Sequence, residues 1–278
     1  MLRTTGATSA RGKAVQNSVS IPGAEPWSAT GDGALGRTGV VVVHGFTANP
    51  VSTRPLGQRL AAAGYTVEVP LLPGHGTSHH DLARTGYADW AGAVEEVIDR
   101  LVDRCDRVAL FGHSMGGTIS LDLAARRAEA IDAVAVINPA IRAPSGLLAR
   151  LAPVLGYLVP YLPRDLAGLP TDDIALDGTE ESAYALVPAR AAASLLRELD
   201  RIRAGLLDVT APLLVIRSPQ DHTVDPRDAL DVLELAASRD LRELVCEHSY
   251  HVPQLDHDAA LVEETLLRFL SEVLEPVA

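Results

Sequence analysis

The stretch Val108–Ser120, VALFGHSMGGTIS, decides how the rest of the chain is read. An apolar run stops at Gly112, Ser114 follows at once, and Gly116 and Gly117 open a helical pattern. The five residues Gly112-His113-Ser114-Met115-Gly116 form G-x-S-x-G between a strand and a helix. A turn that tight projects the Ser114 hydroxyl above the strand end, and glycines two before and two after leave space where side chains would collide. The helix N-terminus adds free N–H groups and the positive end of a dipole, which favour developing negative charge. In that setting Ser114 reads as a nucleophile rather than as a simple N-cap.

Outward from this turn the chain alternates. Val40–Val43 is a β-branched run that reads as a buried strand, Arg54–Ala63 as a helix ended by Gly64, and Tyr65–Val69 as a strand. Tyr87–Arg104 carries Trp90, Val94, Val97, Ile98 and Leu101 at helical spacing. Strand Arg107–Phe111, helix Met115–Arg127 and strand Ala133–Ile137 follow. After an interruption the beat resumes with strand Leu213–Arg217, helix Pro226–Ala237, strand Arg242–Glu247 and helix Ala259–Leu274. Short apolar strands alternating with helices imply a mostly parallel sheet covered on both faces.

The expected organisation is a mobile tail over residues 1–20, a core from 21–139 and 210–278, and an insertion over 140–209 at the sheet's carboxyl edge. The first half of the insertion is apolar and proline-rich; its second half, AAASLLRELDRIRAGLLD, reads as an amphipathic helix. The tail has basic residues but no apolar segment of signal-peptide type.

Composition narrows the partners. Of 278 residues 47% are hydrophobic and 22% charged, as in a soluble globular chain. With 24 Lys+Arg against 36 Asp+Glu the net charge is −12, which disfavours nucleic acid and anionic membrane surfaces. Cys105 and Cys246 are too few for a disulfide framework and lack metal-ligand spacing, so a reducing, cytoplasmic setting is expected.

A serine hydroxyl is a weak nucleophile without a base. The partners should lie past late strands, in the order acid then histidine. After Leu213–Arg217 the loop SPQDHTVDP offers Asp221 and Asp225. Asp225 precedes Pro226 at a helix start, where an N-cap role suffices, so Asp221 is the expected orienting acid. After Arg242–Glu247 the loop offers His248 and His251, with His257 beyond. His251, at the tip, is the expected base. An oxyanion hole takes one N–H from the residue after the nucleophile, Met115, and one from an early loop. VVVVHGFTANP supplies that loop, with Phe46 as the second expected donor.

These pieces, together with AAAGYTVEVPLLPGHGTSHHDL, YADWAGAVEEV and SYHVPQLD, resemble the α/β-hydrolases, and among them the bacterial carboxylesterases and monoacylglycerol lipases. The resemblance spans about Pro22–Leu270 and implies the α/β-hydrolase fold with a small cap. It places the triad at Ser114, Asp221 and His251, and the oxyanion donors at Phe46 and Met115. It implies hydrolysis of carboxylic esters with apolar acyl chains through an acyl-enzyme. A small-molecule ester or monoacylglycerol is then the substrate, no metal or organic cofactor is called for, and lipid contact is at most weak and peripheral. A thioesterase, an amidase or peptidase, or a silent ligand-binding relative would carry the same residues.

The expected substrate contacts are His44, Leu151, Leu155, Leu158 and Tyr184. In the bacterial monoacylglycerol lipases a cap residue after a tyrosine is acidic and contacts the glycerol end. The corresponding stretch here, AYALVP, has Ala185 in that place.

Overall fold

Trp27–Ala29 (β1), Thr38–Val43 (β2) and Thr66–Val69 (β3) begin the sheet, with helix Arg54–Ala62 (α1) between the last two. The computed structural model describes residues 19–143, 159–170 and 172–274. A one-turn helix His79–Leu82 (α2) and the long helix Tyr87–Val102 (α3) lead to Arg107–His113 (β4), Met115–Arg126 (α4) and Ala133–Ile137 (β5). Two three-residue strands, Tyr161–Pro163 (β6) and Leu186–Pro188 (β7), precede helix Ala189–Gly205 (α5). Leu213–Arg217 (β8), Arg227–Leu235 (α6), Leu241–Val245 (β9) and Ala259–Leu274 (α7) complete the described chain.

The main sheet runs β1-β3-β2-β4-β5-β8-β9. All its pairs are parallel except β1 with β3, where Trp27 faces Val69 and Ala29 faces Val67. The expected α/β class with a mostly parallel sheet is therefore what forms. Buried strands read as continuous apolar runs because both their faces are covered, and successive side chains go to opposite faces. Val41, Val43, Leu110, Val134 and Val136 pack into one core with Trp90, Val94, Ile98 and Leu101 of α3. Val40, Val42, Ala109, Phe111, Ala135 and Ile137 pack into the other with Leu56 and Leu60 of α1 and Leu266, Phe269 and Leu270 of α7.

Four differences from the sequence reading have local causes. Strand β4 extends past Phe111 to His113, because Gly112 and His113 pair with Ile137 and its neighbour on β5. The edge strand β1 has only three residues, half-buried, too short to show a period of two. Strands β6 and β7 pair antiparallel with each other, Tyr161 opposite Pro188, outside the main sheet. Helix α5, read as the second half of the insertion, buries Ala191, Leu195, Leu199 and Ile202 in the same core as α3 and α4. It is a layer of the core as well as part of the insertion.

Among the described residues no helix is long and apolar enough to cross a membrane. The expected tail falls almost wholly outside the described residues, as do Leu151, Leu155 and Leu158.

Candidate active site

Ser114 stands at the junction of β4 and α4 with φ 54° and ψ −121°. Left-handed backbone is costly for a residue with a Cβ and persists only where the surroundings enforce it. The enforcement is visible on both sides. A Cβ on Gly112 would lie 2.2 Å from the Gly116 carbonyl oxygen, and one on Gly116 would lie 2.2 Å from the Val43 carbonyl oxygen. Ser114 itself donates its N–H to Ile137 at 2.9 Å. The first turn of α4 therefore lies flush against the end of β2.

The loop after β2 closes on the serine. A Cβ on Gly45 would come within 3.3 Å of the Ser114 Cβ, so any larger residue there would press on the serine. Phe46 follows, its ring 5.5 Å from Trp90 and 6.2 Å from His75. Met115 is the first residue of α4, where an N–H has no acceptor within the helix. Among the described residues neither the Phe46 nor the Met115 N–H is given to a protein acceptor.

His251 and Asp221 meet from two different loops, with His251 Nδ1 2.8 Å from Asp221 Oδ2. The other oxygen of Asp221 accepts the N–H groups of Thr223 and Val224, both at 2.8 Å. Burial works to push the Asp221 carboxyl up, but His251 and the two N–H groups outweigh it and hold the carboxyl below its ordinary range. Burial likewise works against a charged His251. The Asp221 carboxylate, through charge and hydrogen bond, and Glu181 and Asp173, through charge, reverse it, so the His251 pKa is raised. Asp225 is half-exposed, accepts the Arg227 N–H at 3.0 Å and ion-pairs with the same residue, away from His251. His248 and His257 are exposed.

Two expected substrate contacts are differently employed. His44 donates from Nδ1 to the Gly45 carbonyl at 2.9 Å and accepts the Leu72 N–H at Nε2 at 3.2 Å. Burial drops its pKa to about 4. Both nitrogens are spent on shaping the loop, with none left for a ligand. Tyr184 is buried, donates its hydroxyl to Gly74 at 2.9 Å and accepts the Thr77 N–H at 2.7 Å. It clamps the excursion to the loop after β3.

The structure also gathers residues not among the expected site residues. Glu181 is buried in the excursion close enough to His251 for each to shift the other. Its nearest cation is Arg164, at 3.7 Å, and both side chains are more than nine-tenths buried. Burial raises the Glu181 pKa, with His251 and Arg164 opposing. The acidic group sits four positions before Ala185, where the sequence reading looked for it. Asp173 accepts the His222 N–H at 2.9 Å, and Asp256 accepts Ala175 and Tyr250 N–H groups at 2.7 and 3.0 Å. The segment around 172–181 is thereby bound to both loops that carry the acid and the base.

A sequence profile described as "Serine aminopeptidase, S33" matches residues 36–258. The chain is 36% identical to the thermostable monoacylglycerol lipase of Bacillus sp. (strain H-257), over 91% of this chain and 96% of that protein. It is 26% identical to a carboxylesterase of Bacillus subtilis (strain 168), over 86% of this chain and 94% of that one. Among solved structures, one from work on the metagenome-derived lipolytic enzymes LipS and LipT superposes with a TM-score of 0.84 at 34% identity, covering 91% of this chain and 99% of that chain. With an elbow serine, a parallel sheet of this order and a profile match over most of its length, the chain belongs to the α/β-hydrolases, in the serine aminopeptidase S33 family.

Proposed function

We propose that this protein hydrolyses small carboxylic esters with apolar acyl groups, monoacylglycerols among them, through an acyl-enzyme on Ser114. The observation that carries the reading is the 2.8 Å contact between His251 Nδ1 and Asp221 Oδ2, on the loops beside an elbow serine held at φ 54°.

In this reading His251 takes the Ser114 proton as the hydroxyl oxygen attacks the ester carbonyl. The carbonyl oxygen becomes an oxyanion, held by the N–H groups of Phe46 and Met115; one such donor is worth roughly 3–4 kcal/mol. His251 then protonates the leaving alcohol. Water repeats the sequence on the acyl-enzyme and releases the acid. Asp221 fixes the imidazole with its proton on Nδ1 and stabilises the imidazolium.

The described residues 159–170 and 172–188 of the insertion act as a cap over the sheet edge. Within it the Glu181 carboxylate is the group suited to accept hydrogen bonds from hydroxyls of the alcohol, since among the described residues its ion-pair partner, Arg164, stands 3.7 Å off. The cap's exposed Leu166 and Val159 suit weak contact with lipid aggregates. The unpaired Cys105 and Cys246 fit a cytoplasmic setting.

The test is a panel of monoacylglycerols, p-nitrophenyl esters, acyl thioesters and aminoacyl p-nitroanilides, run with wild type and Ser114→Ala. Turnover of the oxygen esters that vanishes in Ser114→Ala supports the reading. Preference for the anilides or thioesters, or turnover that survives Ser114→Ala, overturns it.

A further inference from the structure

The backbone carbonyl of His251 accepts two side-chain hydrogen bonds. His113 donates from Nε2 at 2.9 Å and Asn138 from Nδ2 at 3.0 Å. The donors end adjacent parallel strands. His113 is the last residue of β4 and the one before Ser114; Asn138 directly follows β5. Both side chains are buried, as is His251.

The proton on His113 can be assigned by chemistry. A carbonyl oxygen only accepts, so Nε2 must carry the hydrogen. Nδ1 has no hydrogen-bond partner and is buried, so nothing favours a second proton there. Burial first, and then the nearby His251, drop the His113 pKa to about 3. The ring is thus a neutral donor of fixed tautomer at any working pH. It also touches the other parts of the site. Its centroid lies 4.8 Å from that of His251, and a Cβ on Gly45 would lie 3.5 Å from its Nδ1.

Asn138 is used as fully. Its Oδ1 accepts the Ser218 N–H at 2.9 Å and its Nδ2 also reaches Ser218 Oγ at 3.2 Å. Its backbone has φ 43°, a conformation that asparagine tolerates better than most residues with a side chain. Ser218 opens the loop that carries Asp221. One amide therefore spans the loops of the acid and the base.

His251 needs this support. Strand β9 ends at Val245, so no sheet hydrogen bond fixes the base. Asp258 and Asp256 hold the loop at His248 and Tyr250, and the ring is held by Asp221. Only His113 and Asn138 among the described side chains hold the His251 main chain itself.

We propose that His113 and Asn138 are positioning residues that fix the main chain of His251 against the elbow, so that the residue preceding the nucleophile sets the distance between nucleophile and base. The inference rests on the hydrolase reading of Ser114 and His251, but not on which acyl compound is cleaved. A change of about 1 Å at a reacting pair can cost about a hundredfold in rate.

The experiment measures the second-order rate of Ser114 labelling by a fluorophosphonate probe across pH, with thermal melts alongside. His113→Leu removes the donor; His113→Gln offers a side-chain N–H near the place of Nε2. The leucine variant should label roughly ten- to a hundredfold more slowly. The pH midpoint of labelling should fall, because a looser imidazole gains less from Asp221. The glutamine variant should recover most of the rate and the midpoint. Asn138→Gly, which keeps the left-handed backbone, should show the same two losses, and it decides the matter if His113→Leu does not fold. A folded leucine or glycine variant with wild-type rate and midpoint overturns the proposal, as does equal loss in the leucine and glutamine variants. Labelling without ester turnover in the wild type would overturn the proposed substrate and leave this inference standing.

Discussion

Arg164 donates from Nη1 to the hydroxyl of Thr47 at 2.9 Å. That bond joins the excursion to the loop of Gly45 and Phe46, where Thr47 holds φ 64°. The same guanidinium faces Glu181 at 3.7 Å. One buried cation therefore serves the loop proposed to bind the oxyanion and the carboxylate proposed to meet the alcohol.

Arg164→Met should be costly in a particular way. Removing one partner of a buried pair leaves the other uncompensated, typically at about 3–5 kcal/mol. The melting temperature should fall, and Glu181 should become easier to protonate. Adding Glu181→Gln should restore much of the stability without restoring activity, since Thr47 still lacks its donor. Stability of the double variant no better than that of Arg164→Met would show that the pair is not coupled.

Glu181→Gln alone bears on pH. His251 has a raised pKa, and Glu181 is one of the groups that raise it against burial. Asp221, Asp173 and Glu181 face the imidazole with negative charge, and His113 faces it uncharged. Turnover needs neutral His251, so the acid limb of kcat/KM should lie above the ordinary histidine value of 6.5. Removing the Glu181 charge destabilises the imidazolium, so the limb should move to lower pH. An unmoved limb in a folded variant would place Glu181 outside the electrostatics of the base.

The two aspartates of the acid loop should separate cleanly. Asp221→Asn should reduce kcat by about 10⁴, because the amide favours the wrong imidazole tautomer. Asp225→Ala should leave kcat near wild type and cost about 1 kcal/mol or less, as for loss of a helix-start contact. Steady-state kinetics and urea melts on both variants check the pair, and a kinetic defect confined to Asp225 would reverse the assignment.

Asp228 offers a test on stability. It is buried and accepts the N–H groups of Ile141 and Arg142 at 2.8 and 3.1 Å. Burial raises its pKa from 3.8 to about 6, against Arg142 and with Asp225 adding to it. The folded state thus holds the proton more tightly than the unfolded chain. Its stabilisation is complete below pH 3.8 and is lost as pH rises through 6. Between those limits the site should cost the wild type on the order of 2–3 kcal/mol. Asp228→Asn should not show that loss, so the difference in unfolding free energy between the two proteins should change with pH by that amount in urea melts.

The central strands were readable because burial on both faces leaves Val40–Val43 and Ala133–Ile137 almost purely apolar. The elbow was readable because its glycines have steric reasons visible in the motif. Helix α5 was readable as a helix but not as part of the core, since an amphipathic face does not name the surface it covers. Trp27–Ala29 and the β6–β7 pair were not readable, because three residues carry no periodicity. Glu181 lies near Ala185 in the sequence but not at the position the resemblance implies, so its role was not legible there. A buried glutamate and a solvated one look alike in sequence, and only Arg164 and His251, brought from 17 residues before and 70 after it, distinguish them. Asn138 and His113 act through a main-chain carbonyl, which no side-chain pattern announces.

The flush seat of α4 on the Val43 carbonyl separates what this protein can change from what it cannot. No side chain larger than hydrogen fits at Gly112 or Gly116, so the chassis around the serine has no adjustable part. The described residues 159–170 and 172–188 touch that chassis through polar links such as Arg164–Thr47 and Tyr184–Gly74. Natural drift, or a laboratory library, can therefore redraw the substrate range within those residues while the chemistry below is inherited unaltered, provided the links are kept.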